Sequence, residues 1–185
     1  MNRPPTGGLI ISMQSGQRFR GRLTRGQSTK SGDFVTLLSA FVLDWTESPY
    51  VAAFFAFSEI PKYDFEKDGK VRIYILDGEL WHKKHHRVFS INDPRPSFSV
   101  HIFNARDNKR AMPQQAVVTF SNICDIEGFI EHHEKGDNMR YLTRIDVPMQ
   151  DRETAMKELQ YMGITAALMF PGLDGTCRAL KERIF

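Results

Sequence analysis

The chain has 185 residues and a mass of 21.3 kDa, room for one well-cored domain and too little for two of ordinary size. A hydrophobic content of 41% and a charged content of 25% are ordinary globular usage, which excludes a disordered or fibrous chain. Lys and Arg exceed Asp and Glu by 25 to 22, a mild basic surplus that suits a nucleic-acid partner or an anionic small molecule without selecting either.

Residues 1–16 read as an N-terminal extension and residues 17–185 as the domain proper. Runs at 9–13 and 18–25 are strand-like. Ser48-Pro49 then starts a helix over 49–58: a hydroxyl cap precedes a proline at a position whose amide hydrogen is not needed. "KVRIYILDG", "FSVHIF" and "QAVVTFS" read as strands, and "DIEGFIEHHEK" has helical spacing through Ile126, Phe129 and Ile130. "MRYLTRIDVP" is a further strand, "RETAMKELQYMG" a helix stopped by Gly163, and "TCRALKERIF" a last short helix. Pro113 argues against a helix through Arg110 and Gln114, and "DGELWHKKHH" reads as an irregular crossover. The pattern predicts one α+β domain with a mixed or antiparallel sheet flanked by short helices. No basic leader followed by an apolar segment opens the chain, and no apolar run approaches the ~18 residues that span a bilayer, so a soluble protein is expected; Cys124 and Cys177, isolated and without metal spacing, point to a reducing cytoplasm.

Two stretches carry chemistry. In "RFRGRLTRGQS", extended backbone puts Arg18, Arg20 and Arg22 on one face and aligns Arg25 with apolar Phe19 and Leu23. An inward guanidinium needs an acid or a phosphate, whereas the outer arginines form a solvated or nucleic-acid-facing row. In "FVLDWTESPYVAAFFAFSE", Asp44, Trp45, Thr46 and Ser48 precede a wholly apolar helix. Helix-start amides attract anions, so this cluster reads either as a cap with its packing or as one wall of an anion pocket. There Asp44 orients donors and Trp45 offers a stacking or packing surface. Arg110 reads as a loop residue that meets a ligand or bridges to Asp44. Asp174 in "FPGLDG" reads as the cap of the last helix or as a pocket-edge residue.

The remaining candidates have plain explanations. His82 and His86 in "WHKKHHR" stand one helical turn apart, but interleaved basic residues would repel a cation, so a solvated surface and no metal site are expected. With Trp81 this stretch is the expected contact if nucleic acid is bound. His132 and His133 read as exposed, and Cys124 and Cys177 as small core residues.

"LDWTESPYVAAFFAF" resembles the signature "LLDWTxSPxxAxxFA" of the FRG domain family. "NKRAMPQQAVVTFSN" is similar to that family's Arg-x-x-x-Gln-Gln segment, and "GITAALMFPGLDGTCRAL" to its closing "GI…LFPDLDG" segment. Together these cover most of residues 17–182. The chain departs where the family carries Gln-His-x-Gly-x-x-Thr-Arg; here it has "FVTLLSAFV". The family's Arg-Gly motif matches both Phe19-Arg20-Gly21 and "RGQS" at 25–28, so Arg20 and Arg25 both stand as its arginine, with Arg25 preferred.

The resemblance implies a bacterial toxin or phage-defence effector with an ADP-ribosyltransferase-like order of elements. It implies NAD as cofactor, a nucleic-acid or protein acceptor, and a neutralising antitoxin as a further partner. By that likeness Arg25 (with Arg20 in reserve), Thr46 and Ser48, and Gln114 or Gln115 are the three corners of the site; Trp45 and Arg110 join the expected cofactor-binding set and Asp44 the expected catalytic set. Breaking the nicotinamide–ribose bond calls for a negative group near a developing positive centre. Neither Gln114 nor Gln115 supplies one, so Asp44, Glu47 and Glu79 are the candidate acids. A non-catalytic module that binds a nucleotide-like ligand or a partner protein is the competing expectation.

Overall fold

Alternating apolar residues build the strands, and in the computed structural model, which describes residues 9–14, 22–23, 41–60, 68–85, 95–101 and 108–184, they form one sheet. Its strands are β1 (Leu9–Gln14), β2 (Arg22–Leu23), β3 (Phe41–Thr46), β4 (Lys70–Leu76), β5 (Phe98–His101), β6 (Ala116–Ser121) and β7 (Leu142–Pro148). They lie in the order β5-β6-β3-β1-β4-β7, with β2 also on β3. Every pairing among the described residues is antiparallel. The sheet is therefore of the antiparallel kind, and the α+β expectation holds. β1 sits between β3 and β4, so residues 9–14, within the stretch expected as an extension, belong to the sheet.

Strand period assigns the two faces. Leu43 and Trp45 of β3, Tyr74 and Leu76 of β4, Val117 of β6 and Leu142 of β7 share one buried cluster. Trp81 of helix α2 (Gly78–His85) and Ile126 and Ile130 of the later helix Ile126–Asp137 complete it. Val71 points to the other face, beneath Ala56 and Phe57 of α1 (Pro49–Ser58). Helices thus cover both faces. Beyond its first turn α1 is apolar on nearly every side because it lies between the sheet and two further helices. Val51 and Phe54 meet Leu159 and Met169 there, each large buried side chain contributing ~1.5–3 kcal/mol.

The elements follow in chain order as α3 (Ala111–Gln114), α4 (Ile126–Asp137), α5 (Arg152–Tyr161), α6 (Ala166–Met169) and α7 (Leu173–Ile184). Two differ from expectation. The crossover "DGELWHKKHH" contains α2, whose first turn is held by Asp77 accepting from Leu80 N at 2.8 Å. α3 forms despite Pro113, because a proline in a first turn removes no helical hydrogen bond. Asp174 lies inside the first turn of α7 rather than ahead of it. Gly175 is required where α7 crosses α6: a Cβ there would stand 1.9 Å from the Phe170 carbonyl oxygen. Cys124 and Cys177 are exposed, contrary to a core role, one in the turn before α4 and one on the outer side of α7. Trp81 is 2% exposed and its indole N–H donates to Phe98 O, which removes it as a nucleic-acid contact.

On the β4–β7 edge Arg72 meets Asp146 through two hydrogen bonds, 2.6 and 2.8 Å. The Arg72 hydrogen bond holds the Asp146 carboxyl below its ordinary range. A depressed carboxylate stabilises the fold above its unfolded pKa of ~3.9, and the contribution fades as pH falls through the folded value. Asp146→Asn should therefore cost under about 1 kcal/mol at pH 7, since the pair is partly exposed, and the cost should shrink as pH falls below the ordinary carboxylate range. Urea denaturation of both proteins across pH 2–7 checks it; a cost that grows toward low pH would contradict the assignment.

Candidate functional site

The end of β3, the head of α1 and the start of β6 converge on one residue. Thr46 is 4% exposed; its hydroxyl donates to Gln114 O at 2.7 Å and accepts from Ser48 N at 3.1 Å. One residue on, Glu47 N donates to Gln115 O at 3.1 Å. Ser48 caps α1 by accepting from Val51 N at 3.3 Å. Thr46, Ser48, Gln114 and Gln115, singled out from far-apart segments, are thereby brought together.

Their polar atoms are engaged differently from the expected anion pocket. The Ser48 hydroxyl occupies one amide of the helix start, and Pro49 has none to offer. The same Ser-Pro pair that begins the helix therefore fills most of the site in which an anion would sit. Trp45 is 2% exposed and its Nε1–H donates to Thr119 Oγ1 at 2.9 Å, so it packs in the core and presents no stacking face. Alternation places Asp44 on the opposite face, where it is exposed. Glu79 pairs with Lys83 on α2, over the Trp45 face of the sheet, and leaves the set of acids beside Thr46. Arg20 and Arg25, with Arg18 and the side chain of Arg22, lie outside the described residues.

What remains accessible forms a rim. Gln115 is exposed and takes the left-handed conformation, φ 46°, at the end of α3, where glycine or asparagine would be easier. Glu47 is half-buried beside it, and Tyr50 is exposed on the first turn of α1. Gln114 Nε2 donates to Met169 O at 2.8 Å, joining the rim to the α6–α7 junction. There Arg110 and Arg178 share Asp174, at 3.8 and 3.5 Å, and both stand over the Phe170 ring, at 5.5 and 4.4 Å. Arg110 thus pairs with Asp174 rather than Asp44. Two guanidinium groups on one carboxylate leave a surplus positive charge at this exposed corner.

A second group of polar side chains lies on the other face of the sheet. His133, expected to be exposed, is half-buried beside His85 and Asp137, its pKa lowered by burial and then by the neighbouring His85 and His132 charges. The signal was present in the sequence as His133 and Asp137, four apart on a helix and so on one face. No family model matches the chain, and neither do any curated protein or solved structure.

Thr46→Val keeps the volume near β3 but removes a donor and an acceptor at a buried joint. It should lower stability by about 2–3 kcal/mol, seen as a lower urea midpoint with unchanged slope. A loss under about 0.5 kcal/mol would show that the joint is held without the hydroxyl.

Proposed function

We propose that the chain is an ADP-ribosyltransferase-like domain that takes NAD, acting as a toxin or phage-defence effector on a nucleic-acid or protein target. The observation that carries this reading is the rim itself: the Thr46 joint sets Glu47 beside Gln115, one turn of α3 from the basic Arg110–Arg178 corner. Three further features support it. The motif order resembles that of the FRG family. Gln115 holds a costly left-handed backbone at an exposed position, and strain of that kind accompanies binding sites. The donor set also suits a dinucleotide: guanidinium groups for the diphosphate, a carboxamide for ribose hydroxyls, and Tyr50 for a ring.

In this reading Glu47 and Asp44 are the acids that remain near the rim, and NAD when bound supplies the ADP-ribosyl group. Gln115 orients a ribose hydroxyl, and Arg110 and Arg178 hold the diphosphate. A neutralising antitoxin would cover this rim. One observation favours the competing reading of a binding module without turnover. The Gln114 carboxamide N–H is already committed to Met169 O, and Gln114 and Gln115 bring no charge.

Calorimetric titration of NAD into the full chain, with nicotinamide release followed by chromatography, separates the two. Gln115→Gly should gain about 0.5–1 kcal/mol of stability by relieving the left-handed backbone. It should also weaken NAD binding roughly tenfold through the lost hydrogen bond. Arg110→Ala and Arg25→Ala should weaken binding, and Glu47→Gln should abolish release while leaving binding intact. Binding without release in the unaltered chain selects the module; a folded chain that does not bind NAD overturns the proposal.

A further inference from the structure

The opposite face of the sheet carries a group of donors that the NAD reading does not use. His85 ends α2, while His133 and Asp137 sit one turn apart on α4. One ligand atom from each of the three lies within 4.8 Å of the others. His85 Nε2 and Asp137 Oδ2 are 2.7 Å apart, and their side chains are 20% and 30% exposed. Two half-buried imidazoles and a half-buried carboxylate thus converge from two helices.

The surroundings hold this geometry. Tyr141 O–H donates to Asp137 Oδ2 at 2.6 Å. Glu134 Oε1 accepts from both Tyr141 N and Leu142 N at 2.7 Å, which ties the end of α4 to the start of β7. Trp81 packs against His85 and His133 with ring centroids 4.5 and 5.5 Å away, and Phe129 stands 4.6 Å from His133. Both imidazoles are therefore packed against aromatic rings.

A cavity of about 240 Å³ opens beside the two histidines, lined also by Trp81, Pro96, Ser97, Phe98 and Phe129. Ser97 Oγ is buried there with no hydrogen-bond partner among the described residues. A buried hydroxyl left unpaired costs ~1–3 kcal/mol, so this atom marks a place where a polar group belongs.

We propose that His85, His133 and Asp137 form a binding site for a divalent transition-metal ion of the zinc(II) or iron(II) class, with its open coordination positions facing the Ser97 cavity. Two imidazoles and one carboxylate are the donor set of such ions, and three protein ligands leave room for water or a small anionic or carbonyl-bearing ligand. Metal–ligand bonds near ~2 Å put tetrahedral ligand atoms roughly 3.3 Å apart. The His85–Asp137 pair therefore opens slightly, and the wider separations close by small side-chain rotations. Tyr141 then serves as the outer partner of the ligating carboxylate. The site lies across the sheet from the Gln115 rim, so it stands or falls separately from NAD binding.

The test uses the full chain without a polyhistidine tag, freed of metal by chelator. Zinc(II) is titrated by calorimetry, and cobalt(II) is followed by its visible absorption. One ion per chain is expected, with intense tetrahedral or five-coordinate cobalt bands. His133→Ala and Asp137→Asn should each lose more than the 10–100-fold in affinity that typically follows loss of an outer partner. Tyr141→Phe should fall within that 10–100-fold range. His132→Ala, at an exposed neighbour on the same helix, should bind as the unaltered chain does. Circular dichroism checks that each variant is folded. Absent stoichiometric binding, or binding that His133→Ala and Asp137→Asn leave unchanged in folded protein, overturns the proposal. Equal loss in His132→Ala would do the same by locating the ion elsewhere on the helix.

Discussion

A single hydroxyl joins three elements that are distant in sequence. Thr46 ends β3, starts the turn into α1, and donates to the last residue of α3 just ahead of β6. The β3–β6 ladder runs in unbroken register from Phe41 opposite Ser121 to Thr46 opposite Ala116, and the Thr46 bond closes its end. Because α1 is apolar throughout, its direction is set by how its first turn leaves the sheet. The Thr46–Ser48 contact fixes that departure, and burial of Val51, Phe54 and Phe57 does the rest.

Much of this architecture was legible in the sequence. Ser48-Pro49 announced the start of α1, Gly163 the end of α5, and alternation in "KVRIYIL" the two faces of β4. What escaped has identifiable causes. α2 has only Leu80 and Trp81 as apolar residues, too few to show a period, and its start is signalled only by Asp77. α3 was hidden by a rule about proline that does not apply in a first turn. Trp81 read as a surface aromatic and Trp45 as either a stacking or a packing surface. Each instead sends its indole N–H to an internal acceptor, which lets a large amphipathic ring go inside.

The candidate site was half legible. Sequence motifs selected Thr46, Ser48, Gln114 and Gln115 correctly as neighbours, because a ladder and a joint bring them together. They did not reveal that the hydroxyls are structural and that the accessible groups are Gln115, Glu47 and the shared Arg110–Asp174–Arg178 corner. That distinction depends on which atom donates to which, and spacing carries no information about it. His133 escaped although it stands four residues from Asp137 on one helix face. Its burial follows from the packing of α4 on α2, a contact between segments some fifty residues apart.

Thr46 couples the sheet, α1 and the rim into one cooperative joint. Native-state amide hydrogen exchange at Glu47 and Ser48 measures it, because the Glu47 amide bonds to Gln115 and the Ser48 amide bonds to Thr46 itself. In the unaltered chain both amides should exchange only through large-scale opening. In Thr46→Val they should exchange by local opening while β4 and β7 amides stay protected. Equal protection of Glu47 and Ser48 in the two proteins would contradict the account.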